Sequence, residues 1–193
     1  MTPKFKYDTY SKLCFDDFPD FKPNLTPREI FMTGSFGGTY WREIKSAVTG
    51  KKYKNIHKKY PKSWWKGIAS KNMTTSWDNY DKNINTYGVK VGSTLEFWEE
   101  KNWINTSHPY GWIHWYCDFC IGKRGSNDIK QINRWLSFTG PKGRFRNQLI
   151  NLIYKKKTKF DDFTVSPKIR QSLQHWGYRL TKKDYKEYID NKY

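Results

Sequence analysis

A formal charge of +18 on 193 residues, from 36 Lys and Arg against 18 Asp and Glu, is self-repelling unless a polyanion neutralises it. The 10 Trp, 14 Tyr and 12 Phe exclude a disordered polar chain and fit a domain with an aromatic-rich core. There is no run of about 18 apolar residues to cross a membrane, and the opening segment lacks the apolar stretch of a signal peptide. Three cysteines, Cys14, Cys117 and Cys120, argue against a secreted disulfide framework. The expectation is an intracellular protein with no membrane partner.

Residues 1–25, broken by Pro19 and Pro23, read as an extended N-terminal arm, and residues 26–193 as one helical domain. Thr26-Pro27-Arg28-Glu29 carries the N-cap, first-turn Pro and third-position Glu of a short helix ending near Gly34. A glycine-rich turn, Gly34–Gly38, leads into Thr39–Val48. There Tyr40, Ile44 and Val48 have helical spacing before a stop at Gly50. Residues 51–72 show no clean period and are expected to wrap the surface.

Ser93 or Thr94 caps a helix through Leu95 and Trp98. Pro109 is expected to start the next, with Trp112, Trp115, Tyr116 and Phe119 at helical spacing. Ser126 or Asn127 opens a helix placing Ile129, Ile132, Trp135 and Leu136 on one side. The turn Gly140–Gly143 separates it from a helix through Phe145, Leu149 and Ile153. Ser166-Pro167 starts a further helix ending at Gly177, and a last one covers Lys182–Ile189. The fold class is therefore mainly α: short helices, an aromatic-rich core and little sheet.

The charge is clustered. Residues 51–72 hold eight Lys and no acid, and residues 123–159 hold eleven Lys and Arg against Asp128 alone. Segmental clustering of this kind is a nucleic-acid footprint. Arg42, Lys62, Lys66, Lys123, Arg124, Arg134, Lys142, Arg144, Arg146 and Arg170 are the candidate phosphate contacts. Trp64 and Trp65, flanked by Lys62 and Lys66, are candidate base-stacking residues because two adjacent indoles are not expected to face one core. Trp112 is the third. The glycine turn, with Arg42 one turn further on, offers backbone N–H groups to an anion, or is a structural turn.

Carboxylates are the candidate catalytic groups: Glu96 and Glu99, three residues apart on one helix, and Asp128 among the basic residues. Set against this, Asp128 suits helix N-terminal charge, and the two Glu suit salt bridges. Mg²⁺ enters only if the protein is a nuclease, and no other cofactor is indicated. His114, Cys117 and Cys120 have metal-like spacing, but they drift around a helix and a fourth ligand would have to come from Cys14, His108 or elsewhere, so buried thiols are the preferred reading and no metal site is assigned.

The strings GSFGGTYWR (34–42), PKSWWKG (61–67), YGVKVGSTLEFWE (87–99), HPYGWIHWYCDFCIGKR (108–124), QINRW (131–135), GPKGRFRNQLI (140–150) and SPKIRQSLQHWGYRLT (166–181) resemble an uncharacterised family of large DNA viruses, phages, algae and fungi. The resemblance covers residues 24–185. It implies a single-domain, virus-encoded intracellular protein, and it implies no activity and no catalytic residue. The leading expectation is nucleic-acid binding, DNA favoured, in viral genome handling, repair or modification. The alternatives are an enzyme acting on DNA (a base-flipping glycosylase or a metal-dependent nuclease) and a small-molecule enzyme that holds an anionic substrate with Arg42 and the glycine turn.

Overall fold

The computed structural model describes residues 2–192; Met1 and Tyr193, the ends of the expected arm and domain, lie outside the described residues. The fold is mainly α. Helices α1 (Pro27–Met32), α2 (Leu95–Glu100), α3 (Trp112–Cys120), α4 (Asp128–Thr139), α5 (Arg144–Lys155), α6 (Pro167–His175) and α7 (Lys182–Asp190) are joined by 3₁₀ turns and two small antiparallel hairpins.

Helix α3 is central. Eight of its nine residues, all but Asp118, are buried, the signature of a helix covered on every side. On one flank Phe21 lies edge-on to Phe119 at 5.4 Å and to Trp135 at 5.1 Å. Such ring pairs contribute roughly 0.5–1.5 kcal/mol each beyond their area. Among the described residues, 2–25 thus contain no helix but do supply core. Strand β1 (Lys6–Tyr7) pairs with β2 (Leu13–Cys14), and Leu13, Phe15 and Phe21 are buried. Cys117 and Cys120 are buried thiols whose pKa values burial pushes up. Among the described residues no group of three or more His, Cys, Asp or Glu is arranged to hold a metal ion.

The start of α1 forms as its sequence dictates. The Thr26 hydroxyl accepts from the Glu29 amide, and the Glu29 carboxylate accepts from the Thr26 amide at 2.7 Å. Residues 39–48 do not form the expected helix. Ile44–Lys45 (β3) pairs with Lys52–Tyr53 (β4), and Gly50, at φ 68°, turns the hairpin instead of stopping a helix. The i, i+4 pattern of Tyr40, Ile44 and Val48 is broken in space: Tyr40 and Ile44 are buried, and Val48 is exposed. Helix α3 begins at Trp112 rather than Pro109, because Gly111 at φ 83° bends the chain into it.

The C-terminal half follows the expected helix–turn–helix order. Helices α4 and α5 pack together across the Gly140–Gly143 turn, and α5 packs against α6 and α7. The Asp184 carboxylate, fully buried on α7, joins this half to the N-terminal hairpin. It accepts from Lys12 Nζ at 2.6 Å and Tyr178 Oη at 2.8 Å, and pairs with Arg146 at 3.1 Å.

Candidate nucleotide cleft

A cleft of about 1230 Å³ opens between α4, α6, the 77–80 turn and α2. That exceeds the roughly 300–1,000 Å³ of most small-ligand pockets. Five of the ten tryptophans line it: Trp77, Trp98, Trp103, Trp112 and Trp176. So do the cations Arg42, Lys130, Arg134 and Arg144, and no carboxylate is among its lining residues.

Each wall follows from local structure. Helix α4 has two stripes. Ile132 and Trp135 face the core, whereas Ile129, Lys130, Asn133, Arg134 and Ser137 recur at helical spacing along the cleft. Ile129, expected on the inward side, is 66% exposed and sits at the mouth. Trp112, at the start of α3, packs on Trp176 with ring centroids 4.9 Å apart, which sets the floor. Trp103 stands at the rim with 47% of its surface exposed.

The cations lie on aromatic faces. Arg42 sits over Trp77 at 5.3 Å, and Arg134 lies between Trp103 at 5.8 Å and Trp176 at 5.4 Å. Burial lowers the pKa of both guanidiniums, yet an arginine remains a cation at neutral pH. His175 also lines the cleft, its ring stacked on Phe36 with centroids 3.7 Å apart. Burial pushes its pKa down to about 3, so it is neutral near pH 7.

Of the residues predicted from sequence, the cleft gathers Arg42, Trp112, Arg134 and Arg144. The others sit elsewhere, for physical reasons. Trp64 and Trp65 are 5% and 9% exposed, which corrects the expectation that one would be free to stack. They lie in and after a 3₁₀ turn, not a helix, so both neighbouring indoles turn into the core, edge-on to each other at 6.2 Å. Trp64 stacks on Tyr60 at 5.8 Å, and Trp65 packs edge-on to Phe31 at 5.6 Å.

Arg146 and Arg170 are buried and cannot reach a surface phosphate. Arg146 pairs with Asp184, and Arg170 donates to the carbonyls of Phe160, Asp162 and Val165. Arg124 is held by Asp17 at 2.6 Å and lies 3.7 Å over the Phe119 ring. Lys123 pairs with Asp118 at 3.0 Å. Lys62, Lys66 and Lys142 are exposed but outside the cleft.

The carboxylates are also outside it. Asp128 is buried and accepts from Trp115 Nε1 at 2.7 Å and the Gly125 amide at 2.8 Å. It links α3 to α4, which accounts for a lone acid in a basic segment. Glu99 accepts from Ser46 Oγ and the Ala47 amide, fastening α2 to the β3–β4 hairpin, and Glu96 is exposed.

The glycine turn is not an open anion cradle. Its amides are already bonded: Phe36 N–H to His175 Nε2 at 3.0 Å, Gly37 N–H to Asn85 Oδ1 at 2.8 Å, and Gly38 N–H to the Ser35 carbonyl at 3.2 Å. The glycines permit close backbone approach, since a Cβ on Gly34 would collide with the Ile84 carbonyl oxygen.

Sequence reasoning missed Trp77, Trp98, Trp103, Trp176 and His175 as site residues. One signal was available for α4: the polar stripe opposite Ile132 and Trp135 carries two cations and no acid. Comparisons of this chain with protein-family models, with curated proteins and with solved structures find no match.

Proposed function

We propose that this protein binds nucleic acid, DNA in the first instance, by taking unstacked nucleotides into the aromatic cleft. The observation that carries the reading is the lining itself: five indoles, four cations and no carboxylate in one concave surface. Aromatic faces accept any base, and cations between them neutralise the adjoining phosphates. Lys62, Lys66 and the other exposed lysines of residues 51–72 would add sequence-independent attraction for the rest of the strand. Single strands, or bases already displaced from a duplex, enter at the lowest unstacking cost. With the motifs that resemble an uncharacterised family of large DNA viruses, phages, algae and fungi, this reading fits viral genome handling, repair or modification inside a host cell.

An enzyme acting on an extruded base would need an acid–base group beside that base. Glu96, Glu99 and Asp128 do not line the cleft, so binding is favoured over carboxylate catalysis there.

Titration with single-stranded DNA, duplex DNA and RNA across a salt series tests the proposal. Four cleft cations on phosphate give a single-strand slope near −3, so affinity should fall about 50-fold between about 50 and about 200 mM salt. Trp103→Ala, at an exposed rim position, should weaken single-strand binding by about 1–3 kcal/mol while leaving the fold intact. Salt-independent affinity, or unchanged binding by the folded Trp103→Ala protein, would refute it.

A further inference from the structure

The cleft's charged side chains are all donors, and one further donor is fixed by the fold. His175 Nε2 lies 3.0 Å from the Phe36 amide nitrogen and 3.1 Å from Gln171 Nε2. The Phe36 N–H can only donate, so Nε2 must be the unprotonated nitrogen. Gln171 is oriented to match, because its Oε1 accepts from the Tyr87 amide at 3.1 Å, which leaves its NH₂ facing His175. The imidazole is therefore held as the Nδ1–H tautomer. Among the described residues no hydrogen bond takes Nδ1, nor is it a sealed, unsatisfied atom, and His175 lines the cleft. Stacking on Phe36 fixes the ring plane, so the direction of the donor is fixed too.

Building on the nucleic-acid reading, we propose that the cleft selects bases bearing a carbonyl oxygen at the 4- or 6-position (thymine, uracil, guanine), with His175 Nδ1–H donating to that oxygen. The guanidiniums of Arg42 and Arg134 strengthen the bias, since each offers only donors. Arginine is also the side chain that pairs most often with guanine O6 and N7. An amino group at the same position, as in cytosine or adenine, meets donor against donor and finds no carboxylate in the lining to accept from it. The two buried donors are then left unpaired, a penalty equivalent to about tenfold or more in affinity.

The experiment uses intrinsic Trp fluorescence of the full protein, titrated with oligo-dU and oligo-dC of about eight nucleotides. These differ at position 4 by carbonyl against amino group, so no protein variant is needed for the first comparison. The result expected is oligo-dU binding about tenfold tighter than oligo-dC. His175→Asn, whose Nδ2 can stand in for the ring Nδ1–H, should keep the preference. His175→Phe, which keeps the stack on Phe36 without a donor, should abolish it.

Equal affinity of the wild-type protein for both oligomers overturns the selectivity while leaving nucleic-acid binding standing. No binding of either overturns both. Competition by dUMP at the oligomer's own affinity, with dCMP about tenfold weaker, supports the carbonyl selection and identifies a free nucleotide as the ligand.

Discussion

Asp184→Ala is expected to destabilise the protein by about 3–5 kcal/mol, a large share of the roughly 5–15 kcal/mol that holds a domain of this kind together. The reason is what stays behind. Arg146 has only 7% of its side chain exposed and its ring partner is the buried Tyr178, so its charge would lose its buried counter-ion. Lys12, 15% exposed, would lose the same carboxylate. Burial alone would raise the pKa of Asp184, but Arg146 and Lys12 outweigh it and hold the carboxyl below the usual range, so the native group is ionised. Urea unfolding followed by Trp fluorescence reads the change. Asp16→Ala removes the exposed Lys6–Asp16 pair and is the control, with no measurable shift expected. Equal midpoints for the two variants would show that the buried triad does not secure the N-terminal hairpin to the helical half.

Acid is expected to unfold the protein well before its carboxylates titrate. Burial pushes His175 down to about 3. Burial, helped by the neighbouring His108, does the same to His114. Above about pH 6.5 both rings are neutral in the folded and unfolded chains and contribute no pH dependence. Below it the unfolded chain binds two protons that the native protein refuses, and stability falls by up to about 2.7 kcal/mol per pH unit. That loss runs on toward the folded values near 3. Asp118 adds to it from about pH 4 downward. Burial would raise that carboxyl, but hydrogen bonds from His108, Lys123 and Tyr60 bring it down to about 2. Thermal melts at fixed ionic strength should show the midpoint dropping steeply between about pH 6 and about pH 4.5, and His175→Asn should roughly halve the slope. A midpoint that stays level over that range would mean that these imidazoles are protonated in the native protein.

Helix α1 and the helices of the C-terminal half were legible because local signals agreed with each other. Thr26 and Glu29 made the capping box, Gly140 and Gly143 made the turn, and Ser166-Pro167 started α6. The 39–48 segment was not legible, because Gly50 ends a helix and turns a hairpin equally well, and only pairing with Lys52–Tyr53 decides between them. Site residues divided the same way. Arg134 and Arg144 stood out by charge in a basic segment, and Trp112 by its place in an aromatic helix. Trp77, the neighbouring Trp98 and Trp103, and His175 come from three separate stretches that only the tertiary fold brings to one cleft. Arg146 and Arg170 looked like surface cations because composition carries no information about depth; their partners, Asp184 and the carbonyls around Val165, lie on other turns of the chain. The adjacency of Trp64 and Trp65 misled because it was judged by helical geometry, which that segment does not have.

The most direct measurement is photo-crosslinking of the protein to single-stranded DNA carrying 5-iododeoxyuridine, with adducts mapped by peptide mass spectrometry. Adducts on the peptides that carry Trp77, Trp103 or Trp176 are the predicted result. Adducts confined to the lysine-rich segment 51–72, with the cleft unlabelled, would contradict it.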